Sequence, residues 1–326
     1  MNANPMLSIL IPAYNAEKTI ESCLNSIIAQ ESDNYEIVVI DDGSSDKTYS
    51  QLLRYKDMDQ VTIIRQENGG VSLTRQALIE KARGKYVLFC DADDYLEPMA
   101  IQSVCNVLFA NDGSKTSEAD LYVFGYNLVR IGEKKSVLNR NLKPGLYSKD
   151  EYAKYHVRGF DDLYYSALWN KCYRRVLFFE PEELIFETLI EDVTFNVDYV
   201  HRCKSICLSD AIIYNYNQIG DSLTRSKRVD TGEDILRALN AFLVFYDKAL
   251  EVYPTNEMYI GRYLCLKLLQ LKKRAQKIKD GKVENQIQTF LEKYRGCIGS
   301  QYYIVLIKIG MFELKQKIKK VLAHIR

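Results

Sequence analysis

One unit repeats through the first hundred residues: a short apolar run, a polar loop, then a stretch of helical period. The runs are Met6–Pro12, Tyr35–Ile40, Val61–Arg65 and Tyr86–Cys90. Apolar runs without alternation suit strands covered on both faces. Between them lie Ala16–Gln30 with Asn15 as its cap, a helix from Asp46 to Tyr55, and Val71–Ala82 with Gly84 as its stop. Such alternation predicts a parallel sheet with helices on both faces. Right-handed crossovers bring the carboxyl ends of the strands to one edge, where open α/β sheets bind ligands.

The polar residues at those ends are Ala13-Tyr14-Asn15, Asp41-Asp42-Gly43, Asn68-Gly69-Gly70 and Asp91-Ala92-Asp93. The fourth strand runs straight into Asp91, Asp93 and Asp94. Carboxylates packed this closely repel one another unless a cation sits among them. A divalent metal carrying a phosphorylated substrate resolves the repulsion. A solvated acidic turn would also account for one such run. Four polar strand ends on one crevice point instead to a nucleotide pocket.

Beyond Pro98 the pattern predicts a helix to about Ala110, a strand over Asp120–Ile131, a hairpin or loop over Gly132–Asn141 and a helix over Ser148–Arg158. A helix opening at Glu191 and strands at Ser205–Leu208 and Ala211–Tyr216 follow. From about Asp230 only helices are expected: Ile235–Tyr253, Asn256–Ile278, Lys282–Tyr294 and Gln301–Ile325. From Arg262 onward there are 16 Lys+Arg against 4 Asp+Glu. In the last helix Ile304, Ile307, Met311, Leu314, Ile318, Val321 and Ile325 recur at heptad spacing. Lysines flank this stripe, so packing within the chain, a homo-oligomer contact and peripheral docking on an anionic membrane all remain open.

The whole chain of 326 residues carries a net charge of +1, which excludes an electrostatic nucleic-acid binder. Its eight cysteines are scattered, as free thiols are in a reducing compartment. No leader or membrane-length apolar run is visible, so a cytoplasmic protein is expected, with the inner face of the membrane as a place it could dock.

Four pieces resemble glycosyltransferase family 2: Ser8–Asn15, Val39–Asp46, Asn68–Arg75 and Asp91–Asp94. Weaker signatures follow at Trp169–Arg174, Glu191–Asn196 and Ser222-Leu223-Thr224, similar to bacterial members that build surface polysaccharides. The resemblance implies a GT-A fold, that is, a Rossmann-like, mostly parallel α/β sheet flanked by helices, with an all-helical C-terminal region. It implies a catalytic domain over 1–228, with a nucleotide-sugar half at 1–97 and an acceptor half at 98–228, followed by a helical domain over 229–326.

The same resemblance implies an inverting hexosyl- or N-acetylhexosaminyltransferase that uses a UDP-sugar with Mn²⁺ or Mg²⁺. The acceptor would be a glycan, a lipid-linked glycan or a glycoprotein. Asp93 would hold the metal, with Asp91 sharing it or reaching the ribose, and Ala92 between them. Asp94 would stand behind them or cap a helix near Pro98. Pro12, Ala13, Tyr14 and Asn15 would line the base, and Asp41 would accept the N3–H of uracil. Asn68, Gly69 and Gly70 would let the backbone approach the nucleotide, and Arg75 would face the pocket. Asp192 would be the general base, since a single displacement needs one carboxylate to take the acceptor proton. Glu191 would hold the acceptor, Trp169 would form a platform for a sugar ring, and Arg225 and Lys227 would close over the diphosphate.

A sugar-1-phosphate nucleotidylyltransferase would need a basic Gly-rich loop after the first strand, which Pro12-Ala13-Tyr14-Asn15 does not supply. A catalytically inactive nucleotide-sugar-binding or assembly subunit is the non-enzymatic alternative.

Overall fold

The computed structural model describes residues 5–298 except 33, 110–117, 140, 182–183, 185, 187–189 and 219–230. Two compact units divide the chain, Met1–Ser226 and Lys227–Arg326.

The first unit opens with β1 (Leu7–Ala13), α1 (Ile20–Ile28), β2 (Tyr35–Asp41), α2 (Thr48–Leu52), β3 (Val61–Arg65), α3 (Val71–Lys81) and β4 (Tyr86–Phe89). There follow β5 (Tyr95–Leu96), α4 (Ala100–Leu108), β6 (Leu121–Arg130), β7 (Glu133–Val137), β8 (Gly145–Ser148), α5 (Lys149–His156) and α6 (Leu163–Ser166). It ends with β9 (Lys171–Arg174), α7 (Glu191–Arg202) and β10 (Ser205–Asn217). The strands form a 10-stranded sheet in the order β3-β2-β1-β4-β9-β6-β10-β5, with β7 on β6 and β8 on β10.

The first four strands pair in parallel, and Ala13 lies in register with Asp41. Every residue of β2 and β4 is buried, and each fully buried aliphatic side chain there contributes about 1.5–3 kcal/mol. The second half departs from a parallel reading. β9 runs antiparallel to both β4 and β6, so the sheet is mixed. The two short strands expected over 205–216 are one strand, β10, with register shifts at Ile212. The expected hairpin at Gly132 joins β6 to β7 through a left-handed glycine.

An aromatic cluster fixes α7 against the sheet. Phe195 of α7 stacks on Phe186 at 4.1 Å and meets Phe89 of β4 and Tyr173 of β9 edge-on. Such ring pairs add about 0.5–1.5 kcal/mol each to the burial itself. This packing draws the first turn of α7 toward the end of β4.

The second unit contains α8 (Gly232–Val252), α9 (Glu257–Lys277) and α10 (Gly281–Ile298). Thr231 and Asp234 form a reciprocal cap at the start of α8. The helix expected over 301–325 lies outside the described residues. Among the described residues no helix is long and apolar enough to cross a membrane, and the cysteines from Cys23 to Cys265 are free.

Candidate active site

At the end of β1, Pro12 is half-buried, Ala13 is buried and Tyr14 is 40% exposed. Asn15 does not cap a helix: α1 begins at Ile20 behind Thr19. Asn15 sits at φ 48°, and its side-chain oxygen accepts the backbone N–H of Ser45 at 2.9 Å instead. Asn tolerates this left-handed backbone better than most residues, and the contact ties the β1 and β2 loops together.

Asp41 ends β2 fully buried. Arg65 Nε lies 3.2 Å from Oδ2, yet neither carboxylate oxygen accepts a hydrogen bond among the described residues. Arg65 is itself fixed, donating to Ser44 O at 3.0 Å and lying over the Tyr49 ring. A buried acceptor left without a donor costs free energy that an arriving N–H would recover.

The neighbouring Asp42 has a role that sequence reasoning missed. Its Oδ1 accepts Gly69 N and Gln66 Nε2, its Oδ2 accepts Gly70 N, and its carbonyl accepts Asn68 Nδ2, all at 2.8–2.9 Å. This side chain therefore shapes the Asn68-Gly69-Gly70 loop. Gly70 has φ 87° with nothing within 4 Å of where a Cβ would stand, so the loop opens outward. An unpaired Asp in an Asp-Asp-Gly run signals a turn, but nothing local reveals a partner 27 residues away.

Beyond β4, Asp91 is 30% exposed, Ala92 is buried and Asp93 is half-buried. Asp94 is not a helix cap. It is buried, accepting Tyr214 Oη and Asn217 N at 2.7 Å each. Burial and the nearby charges of Asp91 and Asp93 push its pKa well above the usual carboxylate range. Tyr214 Oη also accepts Asp91 N at 3.1 Å, which fixes the turn. Among the described residues no three His, Cys, Asp or Glu side chains cluster as a ready metal cage. Asp91 and Asp93 instead offer two hard oxygen ligands on a part-exposed turn. That donor set fits Mg²⁺ or Mn²⁺, which takes one or two carboxylates and completes its shell with water and substrate phosphates.

Arg75 joins these acids to α7. Its side chain is 5% exposed. Nη2 donates to Asp91 Oδ1 at 3.1 Å, while Nη1 donates to Asp192 Oδ1 at 2.8 Å and Glu191 Oε1 at 3.1 Å. Burial pulls its pKa down, but Asp192, Asp91 and Glu191 outweigh that and raise it. Asp192 keeps 36% of its side-chain surface. Its pKa is pushed up to about 7, first by lost hydration and then by Glu191 and Asp91, with Arg75 and Lys171 pulling it down. Asp91 and Asp192, far apart in the chain, thus share one guanidinium.

Trp169 does not offer an open face. It stacks on Tyr214 at 4.6 Å and Tyr216 at 5.3 Å, meets Tyr126 edge-on, and is 4% exposed. It is corrected from a sugar platform to a packing residue behind the Asp91–Asp94 turn. Ser222, Leu223, Thr224, Arg225 and Lys227 lie outside the described residues.

Residues 8–122 match the sequence model of the family described as glycosyl transferase family 2. The chain is 30% identical to the putative glycosyltransferase EpsH of Bacillus subtilis over 271 residues, covering 78% of this chain and 74% of that protein. It is also 30% identical to the chondroitin synthase of Escherichia coli over 167 residues, covering 51% of this chain and 23% of that protein. Among solved structures, TarS 1–349 of S. aureus in complex with UDP-GlcNAc superposes with a TM-score of 0.65 at 18% identity, covering 92% of this chain and 90% of that one.

Proposed function

The chain belongs to glycosyl transferase family 2 and has its GT-A fold, and from that premise we propose that it moves a sugar from a UDP-sugar to an acceptor hydroxyl in one inverting displacement. The observation that carries this reading is Arg75, which binds Asp91 at the donor edge and Glu191 and Asp192 on α7.

In this reading Asp41 accepts the N3–H of uracil, a donor its oxygens lack among the described residues. Pro12, Ala13, Tyr14 and Asn15 border the base, and Asn68, Gly69 and Gly70 give the nucleotide close access to backbone. Asp93 and Asp91 hold a divalent cation, Mn²⁺ or Mg²⁺. When bound, that ion neutralises charge on the departing diphosphate. Asp192 takes the proton of the acceptor hydroxyl as its oxygen bonds to the anomeric carbon and the bond to UDP breaks. Glu191 orients the acceptor. A polysaccharide acceptor is supported by the similarity to the chondroitin synthase, and in this reading the transferred sugar is a hexose or N-acetylhexosamine.

The test is incubation with UDP-GlcNAc, UDP-glucose or UDP-galactose, Mn²⁺ and a glycan acceptor. UDP should appear together with a product of inverted anomeric configuration. Binding without UDP release would make the chain a nucleotide-sugar-binding subunit.

Asp41→Asn is expected to weaken UDP binding about tenfold, the worth of one hydrogen bond to a charged group, and to narrow the preference for UDP over CDP. Calorimetry with both nucleotides measures this, and an unchanged preference would remove Asp41 from base recognition. Asp93→Ala should abolish the gain in UDP affinity that Mn²⁺ provides. If titrations with and without Mn²⁺ differ as much in the variant as in the parent, Asp93 does not hold the metal.

A further inference from the structure

Lys171 is fully buried at the start of β9. Its Nζ donates to Tyr164 O at 3.1 Å, Ala167 O at 2.5 Å and Asn170 Oδ1 at 2.9 Å. Three acceptors need three donors, which an ammonium has and a neutral amine lacks. None of these bonds goes to a carboxylate. Burying a cation among neutral oxygens costs several kcal/mol, and a methionine would fill the same space without that cost.

The segment Lys171 grips leads to Asp192. Asn196, one turn into α7, donates its amide to Ser166 O at 2.7 Å, to Ala167 O at 3.3 Å and to Asp192 O at 2.9 Å. Tyr173 Oη donates to the oxygen of the same amide at 2.9 Å. Asn170 donates to Tyr164 O at 3.0 Å, closing the turn from the other side. The lysine and the first turn of α7 therefore share Ala167 O.

We propose that Lys171 is a positioning residue for the base. Its buried Nζ grips the Tyr164–Ala167 turn whose carbonyl at Ala167 also receives Asn196, and so holds the turn of α7 that orients Asp192. This rests on the reading of Asp192 as the base.

Charged groups surround the pair. Asp192 faces Arg75 from α3, Asp91 from the β4 turn, Glu191 from its own helix and Lys171 from β9. Lys171 faces Asp192 and, ahead of α6, Asp162. Burial pulls the ammonium down and the two acids offset part of that, leaving it at about 7. His156 of α5 also feels Lys171, and burial together with that charge holds its pKa down to about 3, so it stays neutral near pH 7.

Lys171→Met removes both donors and charge; Lys171→Gln keeps two of the three donors and removes the charge. Both are measured in the full chain by UDP release from UDP-GlcNAc, with water as the accepting hydroxyl when no glycan is added. Each variant should lower kcat about tenfold, as expected when the base is displaced from its working position. The KM for UDP-GlcNAc and the Kd for UDP should stay within about twofold of the parent. Unchanged kcat would overturn the proposal. So would a parallel loss of kcat, donor affinity and UDP affinity, which is the mark of packing alone. If Lys171→Met does not fold, Lys171→Gln decides. Asp192→Asn measured alongside separates the two ideas: normal turnover in it overturns the base reading, whereas an inactive Asp192→Asn beside a parent-like Lys171→Gln overturns only the role of the lysine.

Discussion

Asp192→Asn is expected to bind UDP as tightly as the parent chain and to lose transfer about a thousand-fold, within the range that general-base catalysis contributes. The substitution keeps the shape of the side chain and an oxygen that can accept Arg75 Nη1, now 2.8 Å from the carboxylate. It removes only the capacity to take a proton. The pH profile gives a second signature. The pKa of Asp192 is raised to about 7, with burial as the largest cause. Its basic form therefore grows as pH rises through that value, and kcat of the parent should climb on an acid limb centred there. The same limb should vanish from the residual activity of the variant. Calorimetry with UDP and a transfer assay from pH 5 to 9 check both. A variant that transfers at the parent rate would leave the reaction without its base.

Arg75→Met should cost more in stability than any other single change at the site. It strands Asp91, Glu191 and Asp192 around an apolar side chain. Breaking a buried ion pair from one side costs about 3–5 kcal/mol, and the part-exposed carboxylates put this case at about 3. The loss should depend on pH in a defined direction. Asp192, raised to about 7, takes up its proton as pH falls through that value and then no longer needs the cation, so the gap between parent and variant should shrink below about pH 7 and widen above it. Urea unfolding at pH 4 and pH 7.5 measures the difference. Equal midpoints at pH 7.5 would mean that water already screens the three acids from one another.

Much of the fold was legible in the chain because it is written locally. The strands ending at Ala13, Asp41, Arg65 and Phe89, and the opening of α7 at Glu191, follow from apolar runs and helical period. What was not legible depends on partners far away in sequence. Asn15 looked like a cap because its type and position fit one, and its bond to Ser45 across two loops has no local trace. Asp42 looked like half of a turn, and its three partners lie beyond β3. Trp169 is a large aromatic near the acids, and only the neighbouring Tyr214 and Tyr216 on β10 decide that its face is covered. The family resemblance placed Arg75 in the helix after the Asn68-Gly69-Gly70 loop, facing the pocket. That one guanidinium would reach acids 16 and 117 residues away needed the packed structure.

The antiparallel β9 has a consequence for how the protein can be divided. It donates to and accepts from β4 through Arg174, Tyr173 and Cys172, closing a flank that the preceding β-α units leave bare. A polypeptide released after Leu96 would present the backbone amides and carbonyls of that fully buried strand to any neighbouring chain, an invitation to stack edge against edge. The stretches before and after Leu96 are accordingly inseparable as folding modules, and cutting between them would yield aggregate in place of two folded pieces.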